Sequence, residues 1–171
     1  KDMSIDIDVE EDGLTFEDNA KKKAMEIHQY LLNKGESNFI VLSDDSGLEV
    51  DCLNGEPGVY SARYAGEHGN DYKNNLKLLE EMNSFKGNER SARFVCVIAV
   101  VFEDGSVKSV RGEVEGTIIE ELKTEGGFGY DPLFFYPEFN KTFAEASAEE
   151  ENAVSHRGNA LAELKKILTQ L

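Results

Sequence analysis

The longest apolar run of the chain, residues 94–102, lies directly before an Asp104–Gly105 dipeptide. Asp-Gly adopts the positive φ angles of a two-residue β-turn, and it is a strong hairpin signal when strand-like runs flank it. Within residues 107–119, valine, glycine and isoleucine alternate with polar residues from Val110 to Ile118, which is typical of a half-buried strand. The sequence therefore predicts a long two-stranded arm of a β-sheet, with its first strand over residues 91–102.

Four segments outside this hairpin carry helix signals. Thr15 with Asp18 three residues later is a variant capping box, and Gly35 suits the C-terminal stop of a helix that runs to about Asn33. Asp71 is predicted to cap the second helix, a Ser147–Glu150 capping box begins the third, and the last helix is predicted to follow Ser155-His156-Arg157. The residues predicted to face inward are Ala20, Ala24, Ile27 and Leu31 in the first helix, Tyr72, Leu76, Leu79 and Met82 in the second, and Ala160, Leu161, Leu164 and Leu168 in the last.

An acidic segment, Ser43-Asp44-Asp45-Ser46-Gly47, follows the short apolar run 39–42, which we interpret as a buried strand. Two adjacent carboxylates repel each other unless a cation or a proton lies between them. Oxygen ligands of this kind suit a hard cation such as magnesium, but Asp, Ser and Gly are also common turn formers. The residues alone leave a metal site and a simple turn open.

Residues 48–53 predict a strand paired with the first, and residues 4–10 predict a further short strand.

The chain is strongly acidic, with 34 Asp plus Glu against 18 Lys plus Arg and a formal net charge of −16. Such a surface repels phosphate backbones and argues against nucleic-acid binding, whereas a small polyanion can bind where a divalent cation neutralises it. The length of 171 residues and the 40% hydrophobic content suit one domain with a real core. Cys52 and Cys96 lie in strand-like runs and indicate buried thiols in a reducing compartment. We find no apolar stretch of membrane length and no signal peptide, so we expect a cytoplasmic protein without membrane contact.

Two further segments combine glycine, aromatic and charged residues. Residues 126–136 read GGFGYDPLFFY, in which glycines beside an aromatic ring let the backbone approach a flat ligand. The simpler interpretation is a loop whose Phe128 and Tyr130 fill the core, and the residues alone favour it. Ser155-His156-Arg157 precedes the last helix, and a single histidine in such a place is more often structural than catalytic.

Taken together, these segments resemble the inosine triphosphate pyrophosphatase family. The match comprises SDDSGLEVDCLNGEPGVYSARYAG at residues 43–66, Gly127 to Pro132, Ser155 to Gly158 and, more loosely, Glu10 to Phe16 with Asn19 and Ala20. The segments occur in the family's order and cover almost the whole chain. The resemblance implies a single domain over residues 1–171, an α/β fold with a long twisted mixed sheet, flanking helices and a cleft between two lobes. It also implies an earlier strand and a Ser/Thr-x-Asn-x-x-Lys phosphate loop, which this sequence does not contain.

The reaction that the resemblance implies is hydrolysis of a deaminated purine nucleoside triphosphate to the monophosphate and pyrophosphate. The small-molecule substrates would be inosine, deoxyinosine and xanthosine triphosphates, and the cofactor would be Mg²⁺. By resemblance Glu10 and Asp45 bind the Mg²⁺ ion, and Asp45 also accepts the proton of the attacking water. Asp44 is the alternative to Asp45, and Glu11 is the alternative to Glu10, because adjacent carboxylates look the same in a sequence. Ser46 is expected to hydrogen-bond the substrate, and the protein is expected to be a homodimer.

Recognition of the base depends on position six of the purine, which carries a carbonyl in inosine and xanthosine and an amino group in adenosine. Arg157, or a protonated His156, would donate to that carbonyl and would leave an amino group facing another donor. An unmatched buried pair of donors costs ~1–3 kcal/mol, which is about ten- to a hundredfold in selectivity. The other base-slot residues that the resemblance implies are Phe128 for stacking, Gly129 and Tyr130 for shape, and Asp131 for the base edge.

One position departs from the family pattern, because Glu151 stands where the family usually has a lysine. A glutamate repels triphosphate, so either Lys141 or a lysine of the upstream loop compensates, or the affinity is lower. Lys23 matches another lysine of the family and is a candidate phosphate contact. The departure leaves open a catalytically impaired nucleotide- or metal-binding module of the same fold, and the net charge leaves open an acidic interaction domain. The motifs at residues 128–131 and 155–157 argue against a related enzyme for modified pyrimidine or methylated nucleotides.

Overall fold

The computed structural model describes residues 7–123 and 126–170 of the chain. The helices are α1 (Phe16–Asn33), α2 (Asp71–Glu81), α3 (Ala148–Val154) and α4 (His156–Leu168). The strands are β1 (Val41–Val50), β2 (Ser91–Val101), β3 (Val107–Ile118), β4 (Phe134–Tyr136) and β5 (Lys141–Thr142). Short 3₁₀ segments lie at Asp51–Leu53, Gly58–Arg63 and Gly87–Arg90. The fold is of the mixed α/β class, as predicted.

The described strands form one five-stranded sheet in the order β1-β2-β3-β4-β5. The hairpin prediction is confirmed, because β2 and β3 pair along their whole length on either side of the Asp104–Gly105 turn. Every described pairing of these strands is antiparallel, where the family resemblance implied a mixed sheet. The division into two lobes with a cleft stays a prediction.

The acidic segment does not end a strand, contrary to our prediction. Residues 41–50 form one continuous strand, and each of them pairs with a residue of β2. The turn at residues 43–47 and the separate strand over residues 48–53 are therefore both wrong. Adjacent side chains of a strand leave opposite faces. Asp44 and Asp45 are thus separated by the backbone, and they need no shared cation to relieve their mutual repulsion.

Helices cover both faces of the β1–β3 sheet. On one face α1 packs against alternate residues of β2, in a cluster of Phe16, Ala20, Ala24, Leu31, Val41, Val95, Val97, Ala99 and Val101. On the other face α4 packs against the intervening residues, in a cluster of Cys96, Ile98, Val100, Ala160 and Leu164. A third cluster joins β2 to α2 and β4 and includes the rings of Phe94, Phe134 and Phe143. Because both faces of β2 are buried, its sequence is a continuous apolar run rather than an alternating one.

The predicted helix caps agree with the structure for α1 and α3, whereas α4 begins at His156 rather than after Arg157. Thr15, Ser147 and Ser155 each accept a hydrogen bond from a backbone N–H of the first turn of α1, α3 and α4 respectively. Gly35, just beyond α1, has a φ of 81°, which suits its predicted role as a stop. In α4 the predicted inward face is correct at Ala160 and Leu164, but Leu161 is half exposed.

The buried face of α2 differs from the prediction. Its N-cap is Asn70 rather than Asp71. Tyr72 and Leu76, predicted to face inward, are exposed, and the buried residues of the helix and its C-cap are Asn74, Asn75, Leu78 and Met82. The two asparagines are buried because their amides bind backbone: Asn74 bonds the segment before α2, and Asn75 bonds the carbonyl of Gly129. The predicted inward face is therefore correct at Met82 and at the partly buried Leu79, and it is wrong at Tyr72 and Leu76, because counting only apolar residues overlooked the two asparagines.

The remaining expectations concern the N-terminal segment, the cysteines and membranes. Of the strand predicted over residues 4–10, residues 7–10 form no strand, and residues 4–6 lie outside the described part of the chain. Cys96 is buried and Cys52 is partly buried, and both are free thiols. No helix within residues 7–123 and 126–170 is long and apolar enough to cross a membrane.

Arg90 is a buried arginine that the sequence analysis did not single out. The residue is 3% exposed. Its guanidinium donates to the backbone carbonyls of Met82, Phe85, Ile118 and Ile119 at 2.7–3.1 Å. These carbonyls lie after α2 and at the end of β3, so one side chain ties both elements to the start of β2. A buried charge is tolerated only where its donors are satisfied in this way.

We expect Arg90→Lys to lower the free energy of unfolding by about 3 kcal/mol, because a lysine ammonium cannot reproduce the planar fork of donors. For a chain of this size the loss corresponds to a fall in Tm of about 6–12 °C in thermal unfolding followed by circular dichroism.

The control is Arg111→Lys. Arg111 lies on the surface in ion pairs with Glu49 and Glu113, and its replacement should cost less than about 1 kcal/mol. Equal losses of stability in the two variants would contradict the role given to Arg90.

Candidate active site

Asp45 lies on the α1 face of β1, next to polar residues of α1 and of the segment before it. Burial raises the pKa of Asp45 to about 6, and the negative charge of Glu11 adds to the rise. The amide of Asn19 and the charge of Lys23 lower the pKa and so act in the opposite direction. One carboxylate oxygen accepts the backbone N–H of Ser46 at 3.1 Å. The other oxygen, Oδ2, is buried and has no hydrogen-bond partner among the described residues.

The two adjacent glutamates before α1 differ in their surroundings. Glu11 forms an ion pair with Lys23, and its charge acts on Asp45. Glu10 is exposed, and its charge acts on Lys22. Lys23 also donates to a backbone carbonyl of β1 at 3.4 Å. These contacts bring Glu11, Lys23 and Asp45 together at one place between α1 and β1.

Asp44 faces the other side of the sheet, where α4 begins. Its Oδ2 accepts a hydrogen bond from Nη2 of Arg157 at 2.6 Å, and Sγ of Cys96 lies 4.0 Å from the same oxygen. Ser46 is in register with Cys96, so its side chain leaves the strand on this face as well. The pleat of β1 thus separates two carboxylates that look equivalent in the sequence: Asp45 is directed to α1, and Asp44 to the first turn of α4.

The glycine-rich loop is anchored at Gly129 and Tyr130 and leaves Phe128 outside. The backbone N–H of Gly129 donates to Oδ2 of Asp71 at 3.0 Å, and its carbonyl accepts from Asn75 at 2.9 Å. Tyr130 is buried, and its hydroxyl donates to a backbone carbonyl at 2.6 Å. Phe128 is 82% exposed. The core-filling interpretation is therefore correct for Tyr130 and wrong for Phe128, whose ring is accessible.

Asp131 and Glu151 form a pair of carboxyl groups beside this loop. Burial and then the charge of Glu151 raise the pKa of Asp131 to about 7. Burial also raises the pKa of Glu151, and the two side chains share a hydrogen bond. A shared proton is the simplest way for close carboxyls to avoid repulsion. Lys141, considered above as a substitute for the family's lysine, pairs with Glu150 at 2.8 Å.

His156 is a neutral ring at the start of α4. It stacks on Phe94, with ring centroids 5.1 Å apart and 22° between the ring planes. Burial and then the charge of Arg157 lower the pKa of His156 to about 4. The imidazole is therefore neutral at pH 7, which disfavours a protonated His156 as the donor to a purine carbonyl. Arg157 carries the positive charge of this turn.

The carboxylates around Asp45 fit a divalent cation that a substrate helps to hold. Within the part of the chain that the structure describes, no group of three or more His, Cys, Asp or Glu side chains could hold a metal ion by itself. Asp45 nevertheless offers a buried oxygen to which no described residue donates, and Glu11 brings a second carboxylate near it. Magnesium at phosphate-handling sites is often held by one or two carboxylates, with phosphate oxygens and water completing its shell.

The sequence analysis missed the contacts that hold these groups in place. Asp71 and Asn75 fix Gly129, and nothing in the sequence linked α2 to that loop. Gly112 of β3 lies under α4, where an added Cβ atom would overlap the backbone nitrogen of Ala160 and the carbonyl oxygen of His156. A signal for this second contact existed, since a glycine inside a strand often marks a close approach of another backbone.

Comparison with known proteins agrees with the motifs. A model of the Ham1 family matches residues 1–167. A dITP/XTP pyrophosphatase of Clostridium perfringens is 64% identical over 161 residues, which cover 94% of this chain and 79% of that protein. A dITP/XTP pyrophosphatase of Desulforamulus reducens is 52% identical, with 96% of this chain and 79% of that protein covered. Among solved structures, the Ham1 protein of Staphylococcus aureus has a TM-score of 0.86 at 45% identity, and the match covers 96% of this chain and 82% of that one.

We expect Gly112→Ala to displace the first turn of α4, because the methyl group has no space between β3 and the helix backbone. Overpacking of this kind costs about 1–3 kcal/mol, and thermal unfolding measures the loss. Lys108→Ala is the control, since Lys108 is an exposed residue of the same strand. A Tm that does not change in Gly112→Ala would contradict the close approach of α4 to the sheet.

Proposed function

The chain belongs to the Ham1 family, and we propose that it hydrolyses deaminated purine nucleoside triphosphates to the monophosphate and pyrophosphate. The resemblance to the inosine triphosphate pyrophosphatase family is confirmed, because relatives that are 49–64% identical over nearly the whole chain are dITP/XTP pyrophosphatases. Such a hydrolase of phosphoric anhydrides removes deaminated nucleotides from the pool before polymerases use them. The structural observation that carries the proposal is the partly buried Asp45 carboxylate, with Lys23 and Glu11 beside it.

In the proposed reaction a water oxygen attacks the α-phosphorus, and the bond from that phosphorus to the oxygen bridging the β-phosphate breaks. Pyrophosphate leaves with the bridging oxygen, and Asp45 accepts the proton of the attacking water. The pKa of about 6 supports Asp45 as the base, because the carboxylate is ionised at pH 7 and is more basic than an ordinary aspartate. Lys23 supports the same site as a phosphate contact, because its ammonium group lies beside these carboxylates.

We propose Mg²⁺ as the cofactor, held by Asp45 together with Glu10 or Glu11. When bound, the ion would neutralise phosphate charge that the acidic chain otherwise repels. Glu11 has more support than Glu10, because the charge of Glu11 acts on Asp45 whereas Glu10 is exposed. Asp44 has less support than Asp45 as ligand or base, because its carboxylate faces α4 and accepts from Arg157.

We assign recognition of the purine base to Arg157. A guanidinium only donates hydrogen bonds, so it matches the carbonyl at position six of hypoxanthine or xanthine and does not match the amino group of adenine. The low pKa of His156 supports this assignment, because it leaves Arg157 as the charged donor of the turn.

The rest of the proposed base slot comes from the glycine-rich loop. The exposed ring of Phe128 supports its role in stacking on the purine. Gly129 and Tyr130 would shape the slot, Asp131 would contact the base edge and Ser46 would hydrogen-bond the substrate.

A homodimer and a cytoplasmic location also belong to the proposal, on the family resemblance and on the sequence signals respectively. A second candidate function is a nucleotide- or metal-binding module with impaired activity. The observation that favours it is the Asp131–Glu151 pair, in which Glu151 places a carboxyl beside Asp131 where the family pattern has a lysine.

Our first functional prediction is that the chain releases pyrophosphate from inosine and xanthosine triphosphates with Mg²⁺, and that adenosine triphosphate is at least about tenfold poorer in kcat/KM. Asp45→Asn should lower kcat about 10²- to 10⁴-fold, because the amide cannot accept the proton of the water. A pyrophosphate-release assay measures both effects, and a chelator should abolish the activity until Mg²⁺ is restored.

The control for that assay is Asp104→Asn, because Asn-Gly preserves the hairpin turn far from the site. Full activity of Asp45→Asn would contradict the proposed base. Equal rates on inosine and adenosine triphosphates would contradict the proposed base reading.

A second prediction concerns Glu151. In the wild-type protein the KM for inosine triphosphate should rise as the pH rises through about 7, because Asp131 then loses its proton beside the ionised Glu151 and the site gains negative charge. Glu151→Lys should lower the KM about tenfold. It should also flatten this pH dependence, because an ammonium group keeps Asp131 ionised at lower pH.

Glu149→Lys is the matched control, since it makes the same charge change on an exposed residue of the same helix. If the two lysine variants lower the KM equally, the effect belongs to overall charge and the specific role of Glu151 is wrong.

A further inference from the structure

An ion pair between Asp44 and Arg157 joins β1 to the first turn of α4 across 113 residues of sequence. Asp44 Oδ2 and Arg157 Nη2 are 2.6 Å apart, a short distance even for a charge-assisted hydrogen bond. The two side chains are 43% and 57% exposed, so solvent reaches the pair. Exposed ion pairs contribute little to folding stability, so replacement of either partner can be studied without loss of the fold.

Both ends of this pair stand on rigid backbone. Asp44 lies inside β1, in register with Ile98 of the buried strand β2. Arg157 lies in the first turn of α4, where the Ser155 hydroxyl caps the helix and where Gly112 of β3 leaves no space for movement toward the sheet. The guanidinium is therefore held by the helix through its stem and by the carboxylate at its tip.

The contact leaves most of the guanidinium available to a ligand. A guanidinium has five N–H donors, and the bond to Asp44 uses Nη2 at a single carboxylate oxygen. An unheld arginine loses rotamer freedom when a ligand binds it, and this loss weakens binding. An arginine that is already held presents its remaining donors in a constant direction and avoids much of that cost.

We propose that Asp44 is a positioning residue for base selection: it holds Arg157 so that the guanidinium is aimed at the carbonyl at position six of the purine. The inference rests on the proposed function, in which Arg157 reads that carbonyl. Loss of the Asp44 carboxylate lets the guanidinium rotate away, which weakens binding of 6-oxopurines. Binding of 6-aminopurines changes little, because the arginine does not match them. Asp44 takes no part in the attack on phosphorus, because the strand directs its side chain away from Asp45.

Asp44→Asn is the informative variant, because it keeps the size of the side chain and removes its charge. We expect the ratio of kcat/KM for inosine triphosphate to kcat/KM for adenosine triphosphate to fall about tenfold. Removing a negative charge near a polyanionic substrate changes both KM values in the same direction, so the ratio isolates base reading. The kcat for inosine triphosphate should stay within about twofold of wild type. Asp44→Glu should restore most of the ratio.

A double variant tests whether Asp44 acts through Arg157. In the Arg157→Ala background, Asp44→Asn should change the ratio by less than about twofold, because the group that it positions is gone. Glu113→Gln is the matched control: Glu113 and Arg111 also lie 2.6 Å apart on the surface, but on the opposite face of the sheet. This variant should leave the ratio unchanged. Circular dichroism of each variant shows whether it is folded.

Three results would overturn the inference. The first is an unchanged ratio in Asp44→Asn, and the second is a fall in the ratio that persists in the Arg157→Ala background. The third is a large loss of kcat with an unchanged ratio, which would place Asp44 in the chemical step. Failure of the proposed function looks different, because the wild-type chain would then release no pyrophosphate from inosine triphosphate, and the inference would fall with it.

Discussion

The antiparallel pairing of β1 with β2 is the interaction on which the candidate site depends. Ten consecutive residues of β1 are paired, and the acidic segment lies in the middle of them. The pairing holds the pleat, so Asp45 is directed to α1 and Asp44 to α4. A slip of the register by one residue would exchange the two carboxylates and would also turn the apolar residues of β1 outward. The burial of β1 against the core therefore secures the chemistry of its centre.

The other half of the site depends on how the C-terminal helix and the loops are held against the sheet. Gly112 lets α4 lie directly on β3, and this contact sets the position of the turn that carries Arg157. Asp71 and Asn75 of α2 hold the backbone of Gly129. The accessible ring of Phe128 thus belongs to a loop whose neighbouring residues are fixed, which is the usual way in which a rigid scaffold presents a binding group.

Around the site, most of the acidic side chains have a cation close to them. Glu11 is paired with Lys23, and Asp44 with Arg157, so each of these carboxylates has a cation beside it. Asp131 lies beside the carboxyl of Glu151 rather than beside a cation, and these two carboxyls share a hydrogen bond. A polyanionic substrate therefore meets carboxylates that are paired with cations near Asp45. Beside the glycine-rich loop it meets two carboxyl groups that gain negative charge when they lose a proton. This difference is why we expect the affinity, rather than the chemistry, to depend on Glu151.

Local signals alone determined the β2–β3 hairpin, α1 with its Thr15 cap and the family, because turn chemistry, helical spacing and contiguous motifs are all readable within a short stretch of chain. The sequence could not show that the acidic segment is a strand interior, since Asp, Ser and Gly favour turns locally and only the pairing with β2 overrides them. The sequence also could not show that Asp44 and Asp45 face opposite sides of the sheet, or that α2 buries Asn74 and Asn75. Those outcomes depend on contacts between segments that are distant in the chain, and only the tertiary structure decides them.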